Sequence, residues 1–327
     1  MAGTPSKKRK TAGPKKQQSR GNPQKSHISR DPAHVQKATA RDWIGAARLR
    51  TLPLAITPIL IGSGAAIIVT DVFHWVIALF CLIVSVSLQI GVNYANDYSD
   101  GIRGTDDFRV GPSRLTASRR AKPRTVLIVA LAFFAIAALA GLAITIRTQQ
   151  WWLIAVGVVC IVAAWFYTGG KRPYGYYGLG ELFVFVFFGL VATLGTTWVQ
   201  ALALPQEAWF GAAGAGLIAC AVLLANNLRD IDQDRTAGKK TLTVLIGRRA
   251  TQVLFTVLLV LAFLIAVFLA WIGYPIAWLT LLALLAALPA MLIVWTYRDP
   301  RELVVALGLT SLTSVAYGAF LMWAFIG

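Results

Sequence analysis

The stretch NYANDYSDGIRGTDDFRVGPSRL, Asn93–Leu115, follows directly on a long apolar run. It places Asp97, Asp100, Asp106 and Asp107 at the mouth of that run. Apolar runs of about 20 residues recur from Leu52 to the C-terminus, long enough to cross a bilayer as helices. Lipid offers the backbone no hydrogen-bond partner, so such runs must close their own bonds as helices. The 327-residue chain is 57% hydrophobic and only 14% charged, with a mean hydropathy of +0.64, which excludes an ordinary soluble domain. The reading is therefore all-α and polytopic, and four carboxylates at one helix mouth call for something positive beside them.

Nine spans are expected, at 52–70, 74–96, 124–146, 151–168, 180–202, 208–228, 251–272, 275–296 and 303–326. The net charge of +17 invites a nucleic-acid partner, but the placement of the charges argues against one. With nine spans and the N-terminus inside, 30 of the 31 Lys and Arg residues fall on the cytoplasmic side, and only Arg147 lies opposite. The positive-inside rule thus orients the chain in the cell membrane with a cytoplasmic N-terminus. Residues 1–40 are polar and basic, with SKKRK at Ser6–Lys10 and no apolar segment after the early charges. They read as a disordered cytoplasmic tail drawn to anionic membrane lipid, not as a secretory signal. Residues 41–327 form the transmembrane domain. Cys81, Cys160 and Cys220 lie in separate spans, and His27, His34 and His74 form no cluster, so thiol and imidazole chemistry have no foothold.

A second acidic stretch, NNLRDIDQDRTAGKKTLTVLIG at Asn226–Gly247, follows the sixth span and opens on the same face. Helical positions three and four apart share a side. Asn93, Asp97 and Asp100 have that spacing, and so do Asn226, Asp230 and Asp234. If the two helix ends meet across a cavity, their carboxylates repel unless a cation lies between them, and oxygen-only ligands suit Mg²⁺. Arg103, Arg109, Arg114, Lys171, Arg172, Arg229, Lys239 and Lys240 share this face. Carboxylates, Mg²⁺ and a ring of basic groups suit a diphosphate. Gly101, Gly104, Gly111 and Gly238 would let loop backbone approach it closely. A third patch, WFYTGGKRPYGYYGLGE at Trp165–Glu181, reads either as an interfacial aromatic belt or as a loop over the same cavity.

These motifs resemble those of the UbiA superfamily of intramembrane aromatic prenyltransferases. Its first motif, Asn-Asp, two residues, Asp, three residues, Asp, is matched by Asn96, Asp97 and Asp100. The last Asp falls on Gly104, and the nearest carboxylate is Asp106. Asp230, Asp234, Gly238, Lys239 and Thr241 match the second motif, and Tyr167, Lys171 and Arg172 match the pattern after the fourth span. The likeness covers residues 41–327. Gly111, Pro112, Arg114 and Leu115 are similar to the branch whose acceptor is 1,4-dihydroxy-2-naphthoate.

The resemblance implies nine helices around a central cavity and Mg²⁺-dependent transfer of a polyprenyl group from its diphosphate to 1,4-dihydroxy-2-naphthoate. Diphosphate and CO₂ would leave, giving a demethylmenaquinol for menaquinone biosynthesis. The expected metal ligands are Asn96, Asp97, Asp100, Asp106, Asp230 and Asp234. Arg109, Arg114, Arg172, Arg229, Lys239 and Lys240 would hold the diphosphate. Arg103 and Lys171 would stabilise the leaving group, with Tyr167 beside the nascent carbocation. Another aromatic acceptor, such as 4-hydroxybenzoate, is the nearest rival. An ion-coupled transporter is the next, although both motifs lie at one face and not at the midplane. A membrane scaffold has only the basic tail in its favour.

Overall fold

A computed structural model describes residue 3 and residues 37–105 and 114–327. Within them every regular element is helical, and Lys37–Gly327 form one unit. The expected basic tail lies almost wholly outside the described residues, as do Asp106 and Arg109.

A short helix α1 (Ala40–Ala46) opens on a Thr39–Asp42 capping box. The main helices are α2 (Pro53–Thr70), α3 (Trp75–Arg103), α4 (Pro123–Thr148) and α5 (Leu153–Phe166). A composite span follows, α6 (Gly180–Val184) running through a π-helical turn at Phe185–Val191 into α7 (Ala192–Ala201). Then come α8 (Gln206–Thr236), α9 (Leu242–Ile272), α10 (Leu284–Thr296) behind a 3₁₀ segment at Pro275–Ala283, and α11 (Leu303–Ile326). Eight of these stretches are long and apolar enough to cross a bilayer. The expected span at 151–168 differs, because α5 has 14 residues, roughly 21 Å at the helical rise and short of a hydrocarbon core about 30 Å thick.

Helix length is what lifts the acidic motifs out of lipid. α3 has 29 residues and α8 has 31, roughly 43–46 Å of helix each. Each overruns the hydrocarbon core, and the polar sequence at its C-terminal end fills the excess. α3 stops at Gly104, whose φ of +72° is open to glycine but costly for most side chains.

α3 packs on α4, α8 on α9, and α2 on α11, with α8 central to the bundle. Apolar side chains gain little from leaving lipid for protein, so close helix approach must come from small residues. Gly189 in the π-helical turn meets Gly216 of α8 so tightly that an added Cβ would lie 2.7 Å from the Gly216 Cα. Outward faces stay apolar, as Leu139, Leu285 and Trp271 show.

Candidate active site

The C-terminal end of α3 carries the first motif. Asn96, Asp97 and Asp100 are all buried there. Asn96 Oδ1 accepts from the Thr168 hydroxyl at 2.6 Å, which ties α3 to the chain leaving α5. Asp97 accepts the backbone N–H of Leu115 at 2.8 Å and that of Thr116 at 2.9 Å, one on each oxygen. Asp100 accepts from the Tyr176 hydroxyl at 2.5 Å and from Lys239 Nζ at 3.1 Å, with Arg114 Nη2 at 3.8 Å. Burial first, and then the Asp100 carboxylate beside it, push the Tyr176 hydroxyl above the ordinary tyrosine range, so it stays a donor. The Tyr176 ring also carries two cations, Lys239 Nζ at 4.8 Å and the Arg103 guanidinium at 5.7 Å from its centroid. Arg103 in turn donates to the carbonyls of Thr168 and Gly170.

The second motif occupies the last turns of α8. Arg229 grips Asp230 with two bonds, Nε to Oδ1 at 2.7 Å and Nη2 to Oδ2 at 2.6 Å, and also donates to Asn226 Oδ1 at 3.0 Å. A turn through Gly238 (φ +76°) brings Lys239 back, and its ammonium lies 3.9 Å from Asp234 Oδ1 as well as 3.1 Å from Asp100. One buried lysine therefore joins the carboxylates of the two motifs. The Lys240 backbone N–H donates to the Tyr176 carbonyl at 2.9 Å, so the α5–α6 segment closes against the same place.

Below this polar cluster lies a cavity of about 540 Å³. Asn93, Asn96, Asn226, Tyr167 and Tyr174 form its polar end, while the carboxylates sit one helical turn beyond Asn96 and Asn226. Most of its wall is apolar, with Leu88, Phe187, Phe188 and Val191 among the lining. Leu142 of α4 and Ile154 and Val158 of α5 line it too and are exposed, so the cavity is open at this wall.

Of the residues expected at the site, Asn96, Asp97, Asp100, Arg103, Arg114, Arg229, Asp230, Asp234 and Lys239 come together, and Tyr167 lines the adjoining cavity. Lys171, Arg172 and Lys240 have exposed side chains outside this network. Three participants escaped the motif reading. Tyr176 was legible only as one of several tyrosines after a basic pair. Arg48, in a left-handed conformation (φ +56°), lines the cavity from the bend before α2. Glu181 is buried and accepts from Asn227 Nδ2 at 3.0 Å, which fastens α6 to α8 beside the second motif.

Among the described residues no three carboxylate, imidazole or thiol side chains stand close enough to cage a metal. That pattern still fits Mg²⁺, which dehydrates reluctantly and is commonly held by one or two carboxylates plus substrate phosphates. Asn96, Asp100, Asp230 and Asp234 supply only oxygen ligands, at the place where Lys239 and Arg229 already balance negative charge.

The UbiA prenyltransferase family pattern matches residues 55–325. The chain is 48% identical over 287 residues to the 1,4-dihydroxy-2-naphthoate octaprenyltransferase of Mycobacterium tuberculosis, covering 88% of this chain and 95% of that one. It is 38% identical over 218 residues to the enzyme of the same name from Escherichia coli, covering 65% and 70%. In fold it is similar to a UbiA homolog from Aeropyrum pernix, with a TM-score of 0.62 at 15% identity over 80% of this chain and 96% of that one. It is also similar to a UbiA homolog from Archaeoglobus fulgidus bound to GPP and Mg²⁺, with a TM-score of 0.60 at 14% identity over 86% and 99%.

Proposed function

The chain belongs to the UbiA prenyltransferase family, and on that premise we infer that it transfers a polyprenyl group from its diphosphate to 1,4-dihydroxy-2-naphthoate, releasing diphosphate and CO₂ to give a demethylmenaquinol for menaquinone biosynthesis. The observation that carries the reading is Lys239 bridging Asp100 and Asp234 at the polar end of an apolar cavity open at its α4–α5 wall. Its closely similar relatives bear the name of that activity. The protein works in the cell membrane with its N-terminus in the cytoplasm, as the distribution of Lys and Arg favours.

In this mechanism Asn96, Asp100, Asp230 and Asp234 would share the holding of Mg²⁺ with the substrate's own phosphates, one or two carboxylates to an ion, and the bound metal would supply charge neutralisation for the leaving diphosphate. Lys239 and Arg229 already lie against those carboxylates and turn toward the phosphate oxygens when it enters. Arg114 and Arg103 add positive charge from the α3 side, and fixed donors of this kind stabilise the leaving group without reorganising. Tyr176 holds Asp100 in place. The departing diphosphate leaves an allylic cation at the polar end of the cavity, where Tyr167 and Tyr174 present aromatic rings. The apolar wall excludes water that would quench the cation. The electron-rich naphthoate ring attacks, and CO₂ leaves as aromaticity returns. The isoprenoid tail threads between α4 and α5 toward lipid.

Purified protein given Mg²⁺, farnesyl diphosphate and either aromatic acid tests the acceptor. Prenylated, decarboxylated naphthol product is expected from 1,4-dihydroxy-2-naphthoate and none from 4-hydroxybenzoate. Equal or better turnover of 4-hydroxybenzoate would overturn the acceptor assignment.

A further inference from the structure

Asp97 differs from the other motif carboxylates in what it touches. It is fully buried, and each of its oxygens accepts a backbone N–H, from Leu115 at 2.8 Å and from Thr116 at 2.9 Å. Asp100, one turn on, accepts from the Tyr176 hydroxyl and from Lys239 Nζ, with Arg114 Nη2 at 3.8 Å. Bonds from neutral amides to an ionised carboxylate are short and strong, and two of them fix both the position and the plane of the segment they hold.

That segment lies in tight register against α3. A Cβ on Gly101 would fall 2.5 Å from Thr116 Cβ, so the backbone of 115–117 runs directly over the glycine. Beyond the clamp the chain folds into a turn, with the Ser118 N–H donating to the Arg114 carbonyl at 3.0 Å and the Ala121 N–H to the Leu115 carbonyl at 3.2 Å. The far end is tied to α1 through the Arg120–Asp42 ion pair at 2.6 Å. Arg114 immediately precedes the clamped pair, and its guanidinium reaches toward Asp100.

We propose that Asp97 is a positioning residue and not a metal ligand: its carboxylate pins Leu115 and Thr116 so that Arg114 is delivered to the diphosphate site beside Asp100. This rests on the diphosphate reading above. A cation drawn to Asp97 would have to compete with the two backbone amides that already occupy its two oxygens. Asp100 is met by side chains, which can turn aside to admit a cation without moving the backbone.

Binding measurements separate the two roles without any need for an aromatic acceptor. Farnesyl diphosphate is titrated at fixed Mg²⁺, and Mg²⁺ is titrated at fixed farnesyl diphosphate, for wild type, Asp97→Asn, Arg114→Gln, the double variant and Asp100→Asn. Asp97→Asn keeps size but turns an amide N–H₂ toward one of the two N–H donors. It should weaken diphosphate binding roughly tenfold, the effect of one buried donor left unsatisfied. Its Mg²⁺ half-saturation should stay within about twofold of wild type, whereas Asp100→Asn should shift it about tenfold. The double variant should bind no more weakly than the weaker single, because Arg114 cannot be placed once the clamp is gone. A Mg²⁺ shift in Asp97→Asn equal to that in Asp100→Asn would overturn the proposal, and so would multiplicative losses in the double variant. Hydrogen exchange on the wild-type protein reads the clamp even if Asp97→Asn fails to fold. The Leu115 and Thr116 amides should be among the slowest in the α3–α4 connection, and exchange at the rate of open loop would refute the clamp.

Discussion

Tyr176 shows what one side chain can decide at this site. Its hydroxyl holds Asp100 at 2.5 Å, and its ring lies under both Lys239 and Arg103. Tyr176→Phe keeps the ring and both cations but removes the donor. A buried carboxylate losing one such partner forfeits about 1–2 kcal/mol, so kcat/KM should fall roughly 5–30-fold in steady-state assays. Unchanged kcat/KM would mean that Lys239 alone orders Asp100. At this scale the acidic residues and several of their basic partners were legible, and Tyr176 was not. Asp100, Asp230 and Asp234 stand out because charge beside an apolar run has few uses. Tyr176 sits in a tyrosine-rich stretch that an interfacial belt explains equally well, and only the bond across to α3 distinguishes it. Lys171 and Arg172 form the more conspicuous basic pair, yet they are exposed, while the buried Lys239 carries the contact. Residue type tells chemistry, but the fold chooses which of several like residues is brought in.

Hydropathy reads the existence of each element well and its ends poorly. It loses α3 near residue 96 and α8 near 228, because the scale stops where the apolar sequence stops. The helices continue to Arg103 and Thr236, and the site lives on those polar extensions. The short α5 has the opposite cause: Trp151 and Trp152 extend the apolar run without extending the helix. Packing between elements was not legible at all, since it depends on which glycines face each other. The Gly189–Gly216 crossing gives a direct test. In Gly189→Ala the new methyl would meet the Gly216 Cα at 2.7 Å and the Ala212 carbonyl at 2.8 Å, both backbone atoms that cannot turn aside. Overpacking of this kind costs about 1–3 kcal/mol, so thermal unfolding in detergent should begin at lower temperature. Gly308→Ala in α11 meets nothing within 4 Å and serves as the contrast. It should be neutral or stabilising by up to about 1 kcal/mol, as alanine favours a helix over glycine. Equal losses in the two variants would remove close backbone approach as the explanation.

Across the whole molecule, one side gathers the chemistry. The C-terminal ends of α3 and α8 meet through Lys239, so Gln206 at the start of α8 lies roughly 45 Å of helix away from them. Cysteines introduced at Ser118 and Gln206 should therefore react with impermeant reagents from opposite sides of the membrane, Ser118 from the cytoplasm. Labelling of both from one side would contradict the orientation. In the proposed function the two acidic ends, joined by Lys239, act as a single site, and a double-mutant cycle tests that most directly. Asp100→Asn and Asp230→Asn each remove one charge at constant size. Each should cost roughly 10²–10³-fold in Mg²⁺-dependent release of diphosphate from farnesyl diphosphate with 1,4-dihydroxy-2-naphthoate present. Asp71→Asn, at the far end of α2, should leave the rate near normal. Groups that act as one unit are non-additive, so the double variant should lose far less than the product of the two single losses. Multiplicative losses, or full turnover in either single variant, would contradict a shared diphosphate site and leave these carboxylates as a solvated rim.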